Sequence, residues 1–524
     1  MHCGGLIGKN SLKSNYDAIV IGSGFGGSMA AYQLVNAGKS VLMLERGDWV
    51  ARGPENWSAQ GSVDLTPFYS KEVPYQVLAG GNNDVMGAYT CVGGPSVFYG
   101  TVSMRFREAD FQPAPEIVGT SNARWPIRYE ELESFYTLAE DIIGVSGETG
   151  QDPTEPRRTG PYNLRLGPLS ETSKKIGAAA ERLGLRPFRL PLAINYQKRN
   201  GRAPCENCTT CDTFACAIGA KNDLATRVLP GLLDSGLDLR TNAIAVDMSE
   251  ENGRIAKVTF IDKITSEAHP VTGRAVVLAA GALASPHLLL SSGLEKSNPG
   301  GDVVGRYLTR HCNAIAFGFF LKKPDPKGEF HKQLGIHDFY FGHPTIAQPT
   351  GKLGSMQQLQ TPPVALVHNM VPAPFGKVIG LGVPHLTGLL VMAEDQPQYD
   401  NRVEIDPART GRYGLPQLLV THHYTRRDYD ARSALLRKAS AILREAGALF
   451  CYEHKIKTFS HAVGTIRMGE DPEQSALDHH CNFRGIDNLF VTDGSFMPTS
   501  GGLNPSLTIA ANALRVGRYL CEIC

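Results

Sequence analysis

The feature that most constrains this chain lies near its beginning, where the apolar run Ala18-Ile19-Val20-Ile21 stops abruptly at Gly22-Ser23-Gly24-Phe25-Gly26-Gly27. Four apolar residues in a row read as a buried strand, and Gly-x-Gly-x-x-Gly reads as a turn that lets backbone approach whatever lies in front of it. Residues 28–37 are good helix formers, Gly38 is a natural stop, and Val41-Leu42-Met43-Leu44 is a second buried strand ending at Glu45. This is a complete strand-helix-strand unit. It suits a dinucleotide: the glycines admit the pyrophosphate and the helix N-terminus complements its charge. Glu45, 23 residues after Gly22, stands near the offset of about 20 at which an acid meets the ribose hydroxyls. The plainer alternative is a turn that uses glycine only for packing.

NAD and FAD both use such a turn, so the choice rests on the other strand ends in the chain. Val276-Val277-Leu278-Ala279-Ala280-Gly281 is another strand ending in glycine, and Leu489-Phe490-Val491-Thr492-Asp493-Gly494 is a third. Pieces scattered this widely fit a long, extended cofactor better than a contiguous nicotinamide domain, which points to FAD. With 524 residues, 42% of them hydrophobic, the chain fills two or three domains or one interleaved fold. Lys and Arg total 52 against 51 Asp and Glu, a balance that favours a small-molecule partner over nucleic acid or an anionic membrane. No run approaches the roughly 20 apolar residues of a membrane span. Residues 315–321 and 276–282 read as buried strands instead. Residues 1–15 carry Lys9 and Lys13 without an apolar segment, so no secretory signal is read and a cytoplasmic location is expected. The terminal Cys521-Glu522-Ile523-Cys524 does not fit a prenylation site.

Residues 48–90, rich in Gly, Asn, Pro and Ser, are expected to form long surface loops. A helix is expected over residues 129–143 after Trp125-Pro126-Ile127, and an irregular connection over 153–168. Residues 402–406, 416–421 and a helix near 428–446 suggest a second region of sheet plus helix.

Five stretches together resemble the glucose-methanol-choline (GMC) family of flavin oxidoreductases over nearly the whole length. They are the glycine turn with Glu45-Arg46-Gly47, Val92-Gly93-Gly94-Pro95-Ser96, residues 280–286, the segment from His461 to Gly469, and the segment from Asp493 through Asn504-Pro505. The resemblance implies an α/β fold: an FAD-binding Rossmann-like domain from residues 1–109, 192–310 and 453–524, interleaved with a substrate domain of antiparallel sheet plus helices from 110–191 and 311–452. It implies that Gly22, Gly24, Phe25, Gly26, Gly27, Glu45 and Arg46 contact the ADP half and that Val246, Ala280 and Gly281 lie by the adenosine. It places Asp493 and Gly494 near the pyrophosphate and ribityl chain, and the loop with Gly93, Gly94 and Ser96 beside the flavin. The Asn that the family often places after that loop is replaced by Tyr99-Gly100. Some relatives attach FAD covalently through a His there, but this chain has Val97, Phe98 and Tyr99, so FAD is expected to be non-covalent.

Oxidising an alcohol needs a base that takes the hydroxyl proton while hydride leaves for flavin N5. Of 15 histidines, His461 is followed by Gly464-Thr465, and Asn504 lies 43 residues downstream. By resemblance these two are the catalytic pair, with Asn504 orienting the substrate oxygen and, with Pro505, lying by the flavin at a helix start. A packed histidine and a simple helix cap are the bland readings. The expected substrate is a sugar, a glycoside or another alcohol, with O2 or another electron acceptor taking the electrons. The alternatives are a dehydrogenase of a bulky aromatic or sterol-like alcohol, a lyase with structural FAD, and a non-enzymatic subunit. Finally, Cys205, Cys208, Cys211 and Cys216 stand close enough in sequence for an iron-sulfur or zinc site, although structural thiols or a local disulfide fit the spacing better.

Overall fold

The computed structural model describes residues 12–53, 69–79, 82–199, 201–212, 214–365 and 375–524. The opening unit forms as its pattern predicts: strand Tyr16–Ile21, helix Phe25–Asn36 and strand Val41–Leu44. Its strands join a five-stranded sheet in the order Leu489–Val491, Gly273–Leu278, Tyr16–Ile21, Val41–Leu44, Asp238–Arg240, every pair parallel. The three inner strands and Leu489–Val491 are apolar over most of their length because helices cover the sheet, while the edge strand Asp238–Arg240 is polar and only partly buried. Phe25–Asn36 packs on the terminal helix Ser506–Ile523, closely enough that a Cβ on Gly517 would lie 3.1 Å from the Ala30 Cα. Tyr16–Ile21 lies where the strand order reverses, the crevice in which open parallel sheets bind ligands.

The second large sheet is antiparallel, in the order Phe450–Lys455, Cys312–Phe319, Leu386–Ala393, Gly354–Leu359, Leu334–Ile336, Phe188–Arg189. Its residues alternate between two faces, as the twofold repeat of a strand demands. Ala314, Ala316, Met356, Leu389 and Val391 form one core with helices Glu171–Arg182 and Arg426–Glu445. Asn313, Ile315, Phe317, Gln357, Leu390 and Met392 occupy the opposite face.

The helix Tyr129–Ile143 and the strands Arg402–Thr410 and Pro416–Thr421 match the sequence reading. Residues 48–90 depart from it: Tyr69–Ala79 and Asn82–Tyr89 are antiparallel strands, not loops, and the first pairs in parallel with Pro416–Thr421. Pro74 and the register shift between Ser70 and Tyr75 break the alternation that would have revealed them. The partner strand lies more than 300 residues away, beyond any local pattern. The remainder of that stretch, residues 54–68 and 80–81, and residues 1–11 of the leader lie outside the described residues. Among the described residues no helix is long and apolar enough to cross a membrane.

Candidate active site

The carboxyl ends of the parallel strands gather most of the cofactor residues named from sequence. Gly27 is forced by packing, since a Cβ there would sit 1.9 Å from the Gly22 carbonyl oxygen. Gly24 differs: a Cβ would meet no described atom within 4 Å, and the helix it opens has no side-chain cap. Glycine here therefore keeps space clear in front of unpaired N–H groups, as a pyrophosphate requires. Glu45 is buried, receiving Ser23 Oγ at 2.6 Å and the Gly47 N–H at 2.9 Å. Ser23 Oγ in turn accepts from the Gly93 N–H at 2.9 Å, and a Cβ on Gly94 would lie 3.2 Å from the Gly24 Cα, so the second glycine loop rests on the first.

On the other side of the central strand, Asp493 accepts from the Gly281 N–H at 2.9 Å, from Ser285 Oγ at 2.5 Å and from the Ser495 N–H at 2.8 Å. Burial pushes its carboxyl above the usual range while these donors oppose the shift. The Ala280 N–H donates to Ser285 Oγ. Gly494 accepts from the Gly464 N–H at 3.0 Å, which lays the segment after His461 along the strand end. Ser96 serves the loop itself, donating to the Gly93 carbonyl and accepting from the Leu224 N–H. Val246 lies on the strand Ala243–Glu251, whose first residue donates its N–H to the Glu45 carbonyl at 2.9 Å, and packs on the Ile244, Tyr413 and Leu415 cluster. The Arg46 carbonyl accepts from Lys263 Nζ.

Tyr99, which stands where the family often has Asn, turns inward. Its hydroxyl donates to the Asn222 carbonyl at 2.8 Å and its ring meets Phe25 edge-on at 5.6 Å. Phe98 stacks on Tyr89. The cysteine cluster surrounds a buried ammonium: Lys221 Nζ donates to the carbonyls of Phe214, Cys211 and Tyr99 at 2.7, 2.9 and 3.1 Å. The four thiols form no disulfide, and burial pushes Cys205 up to about 12 and Cys211 up as well. Among the described residues no three metal-ligating side chains converge.

His461 is half-buried, its ring set in a recess that strips most of its hydration; burial first, then His311 and Lys332, holds it down to about 3. Its Nδ1 lies 3.0 Å from His311 Nδ1. Asn504, half-buried just before Pro505 and the terminal helix, accepts at Oδ1 from Gln357 Nε2 at 2.6 Å, which leaves its own amide N–H groups as donors. Sequence reasoning missed His311, Gln357 and Asp395. Asp395 accepts the Arg310 and His311 backbone N–H groups at 2.9 and 3.0 Å and Ser500 Oγ at 2.9 Å. The only local signal was the placing of His311 immediately before a buried strand.

A dinucleotide crevice in a parallel sheet, faced by an antiparallel substrate sheet, defines the class of protein: a two-part flavoprotein. GMC oxidoreductase models match residues 16–313 and 397–513, and the chain belongs to that family. It is 31% identical to 6'''-hydroxyparomomycin C oxidase of Streptomyces lividus over 97% of this chain and 91% of the relative. It is 30% identical to paromamine 6'-oxidase of Streptomyces fradiae over 95% and 90%, and 28% identical to 2-methyl-1,2-propanediol dehydrogenase of Mycolicibacterium austroafricanum over 96% and 95%. In fold it is similar to pyridoxine 4-oxidase from Mesorbium loti, with a TM-score of 0.70 and 20% identity over 96% of this chain and 99% of that one. The protein is an FAD-dependent oxidoreductase acting on CH–OH groups.

Proposed function

We propose that this enzyme oxidises a hydroxyl of a sugar or glycoside, with His461 as base, Asn504 as the donor that orients the substrate oxygen, and FAD held without a covalent bond. The observation that carries the reading is His461: a half-buried imidazole with one nitrogen engaged by His311 and the other without a hydrogen-bond partner among the described residues. When bound, FAD supplies the hydride acceptor. His461 takes the hydroxyl proton as the carbon loses hydride. Because Gln357 engages the Asn504 oxygen, Asn504 points N–H donors at the substrate oxygen. The proposed cofactor cradle is Gly22, Gly24, Gly26, Gly27, Glu45, Gly93, Gly94, Gly281, Asp493 and Gly494, in the FAD domain bounded as the sequence implied.

The sugar reading rests on one face of the antiparallel sheet, where the buried Asn313 Oδ1 and Gln357 Oε1 have no hydrogen-bond partner among the described residues. Unpaired buried acceptors favour a ligand rich in hydroxyl or amino donors over an aromatic or sterol-like alcohol. The names of two relatives point the same way, toward paromamine and 6'''-hydroxyparomomycin C. Non-covalent FAD is supported by Val97, Phe98 and Tyr99, whose contacts are internal and none of which is a histidine. We read the cysteines as structural thiols; absence of iron and acid-labile sulfide in purified protein is the matching result.

The test is an anaerobic screen for flavin bleaching with polyols, glycosides, aromatic alcohols and sterols, followed by admission of oxygen. Glycosides should bleach the flavin. Bleaching by aromatic or sterol alcohols alone would replace the substrate assignment, and no bleaching by any alcohol would favour a lyase. Rapid recolouring in oxygen marks an oxidase; slow recolouring marks a dehydrogenase with another acceptor.

A further inference from the structure

His311 has a backbone and a hydrogen-bond environment that packing alone does not require. Its φ is +62°, a left-handed conformation uncommon for residues other than glycine, and it is buried. Asp395 holds it there through the backbone N–H groups of Arg310 and His311, while the Tyr424 hydroxyl donates to its carbonyl at 2.8 Å. The ring is clamped at both nitrogens. Nε2 lies 2.9 Å from the Gly501 carbonyl oxygen and 3.1 Å from that of Ser500, and Nδ1 lies 3.0 Å from His461 Nδ1.

The hydrogen positions follow from the acceptors. Two carbonyl oxygens accept and cannot donate, so His311 Nε2 must carry a hydrogen; a lone pair there would face two others. A ring with a single N–H, placed at Nε2, then has a bare Nδ1. A hydrogen bond between the two Nδ1 atoms then needs its hydrogen on His461, and the neutral His461 keeps a bare Nε2. No described residue hydrogen-bonds that Nε2, and His461 is half-buried rather than sealed.

We propose that His311 is a positioning residue that fixes the tautomer of His461, directing its basic lone pair at Nε2 toward the substrate hydroxyl. The inference rests on the reading of His461 as the base. When the hydroxyl proton arrives at Nε2, the imidazolium keeps its Nδ1–H on His311, and that hydrogen bond strengthens because its donor is now charged. The clamp also couples two chemical regions: the carbonyls that orient His311 belong to residues 500 and 501, on the segment leading to Asn504. One backbone stretch therefore sets the base on one side and carries the oxygen-orienting amide on the other.

The test uses flavin-loaded enzyme labelled with 15N-histidine, the His461 signals being assigned by their loss in His461→Gln. The expected spectrum shows His461 protonated at Nδ1 and bare at Nε2; the opposite tautomer overturns the proposal. His311→Asn keeps an acceptor and tolerates the positive φ, so it should retain flavin reduction within about 10-fold of the native rate. His311→Leu removes the acceptor, and its limiting reduction rate should fall about 10- to 100-fold, with KM changed only a few-fold and mixed tautomers at His461. A His311→Leu enzyme that reduces flavin at the native rate overturns the proposal. If that variant fails to fold, the native spectrum and His311→Asn still decide. Failure of the base reading looks different: His461→Gln would reduce flavin normally whatever tautomer is seen in the native enzyme.

Discussion

The two halves of this active site are built from different materials. At the carboxyl ends of the parallel sheet the work is done by backbone: unpaired N–H groups after Gly24, and glycines whose missing Cβ lets chain segments meet. Side chains there, Glu45, Ser23, Asp493 and Ser285, mostly hold loops to one another. Facing the antiparallel sheet the work is done by side chains, His461, His311, Gln357 and Asn504, each held by a partner distant in sequence. The contrast teaches that binding the cofactor and running the chemistry should be separable by mutation, because they depend on different atoms.

The strongest test of that separation is Gly27→Ala. Its Cβ would meet backbone at 1.9 Å, so the cost should exceed the roughly 1–3 kcal/mol of ordinary overpacking. Little flavin-loaded protein should be recovered, as read by the visible absorbance per mole of purified chain. A normally yellow Gly27→Ala enzyme would show that the turn is not as tight as described.

Next in size is His461→Ala, which should keep its flavin and reduce it about 10²- to 10⁴-fold more slowly in stopped-flow mixing with substrate. Loss of flavin from this variant would break the comparison, since it would give a chemical side chain a binding role. Asn504→Ala should slow reduction about 10²-fold. Gln357→Leu, which leaves Asn504 in place but unpinned, should cost about 10-fold, the scale of one hydrogen bond. Equal losses in the two would mean that Gln357 Oε1 carries as much of the substrate contact as the Asn504 amide.

The smallest effect concerns pH. Burial lowers His461 to about 3 and His287 to about 4, against an unfolded value of about 6.5. Between these values the unfolded chain binds more protons than the native one. Stability should therefore be full above about pH 6.5 and decline as pH falls toward 4, seen as a falling Tm. His461→Gln should make that decline shallower. An unchanged slope would mean that the His461 ring is better hydrated than its recess implies.

Legibility in the sequence divides along the same line. The first strand-helix-strand unit, the helix Tyr129–Ile143 and the strand ends at Gly281 and Asp493 repeat patterns set by neighbours a few residues apart, so spacing alone located them. The hairpin within residues 48–90 did not show, because its apolar alternation is interrupted and its sheet partner is remote. Tyr99 could be flagged as a departure, but only packing reveals that it turns toward Phe25 and the Asn222 carbonyl. The cysteine spacing left a shared centre and structural thiols both open, with structural thiols favoured, but it gave no sign that the loop wraps around Lys221.

The sequence by itself determined that a strand-helix-strand unit with a dinucleotide-type glycine turn opens the chain, and that His461 and Asn504 occupy slots resembling those of one flavoenzyme family. Short-range sterics dictate such features, and short-range sterics are written in residue order. Only the tertiary structure decided that His311 meets His461, that Gln357 commits the oxygen of Asn504, and that Asp395 secures both the His311 backbone and Ser500. Those bonds join residues 84 to 150 positions apart, and a hydrogen bond depends on where two atoms finally lie, not on how far apart they stand in the chain.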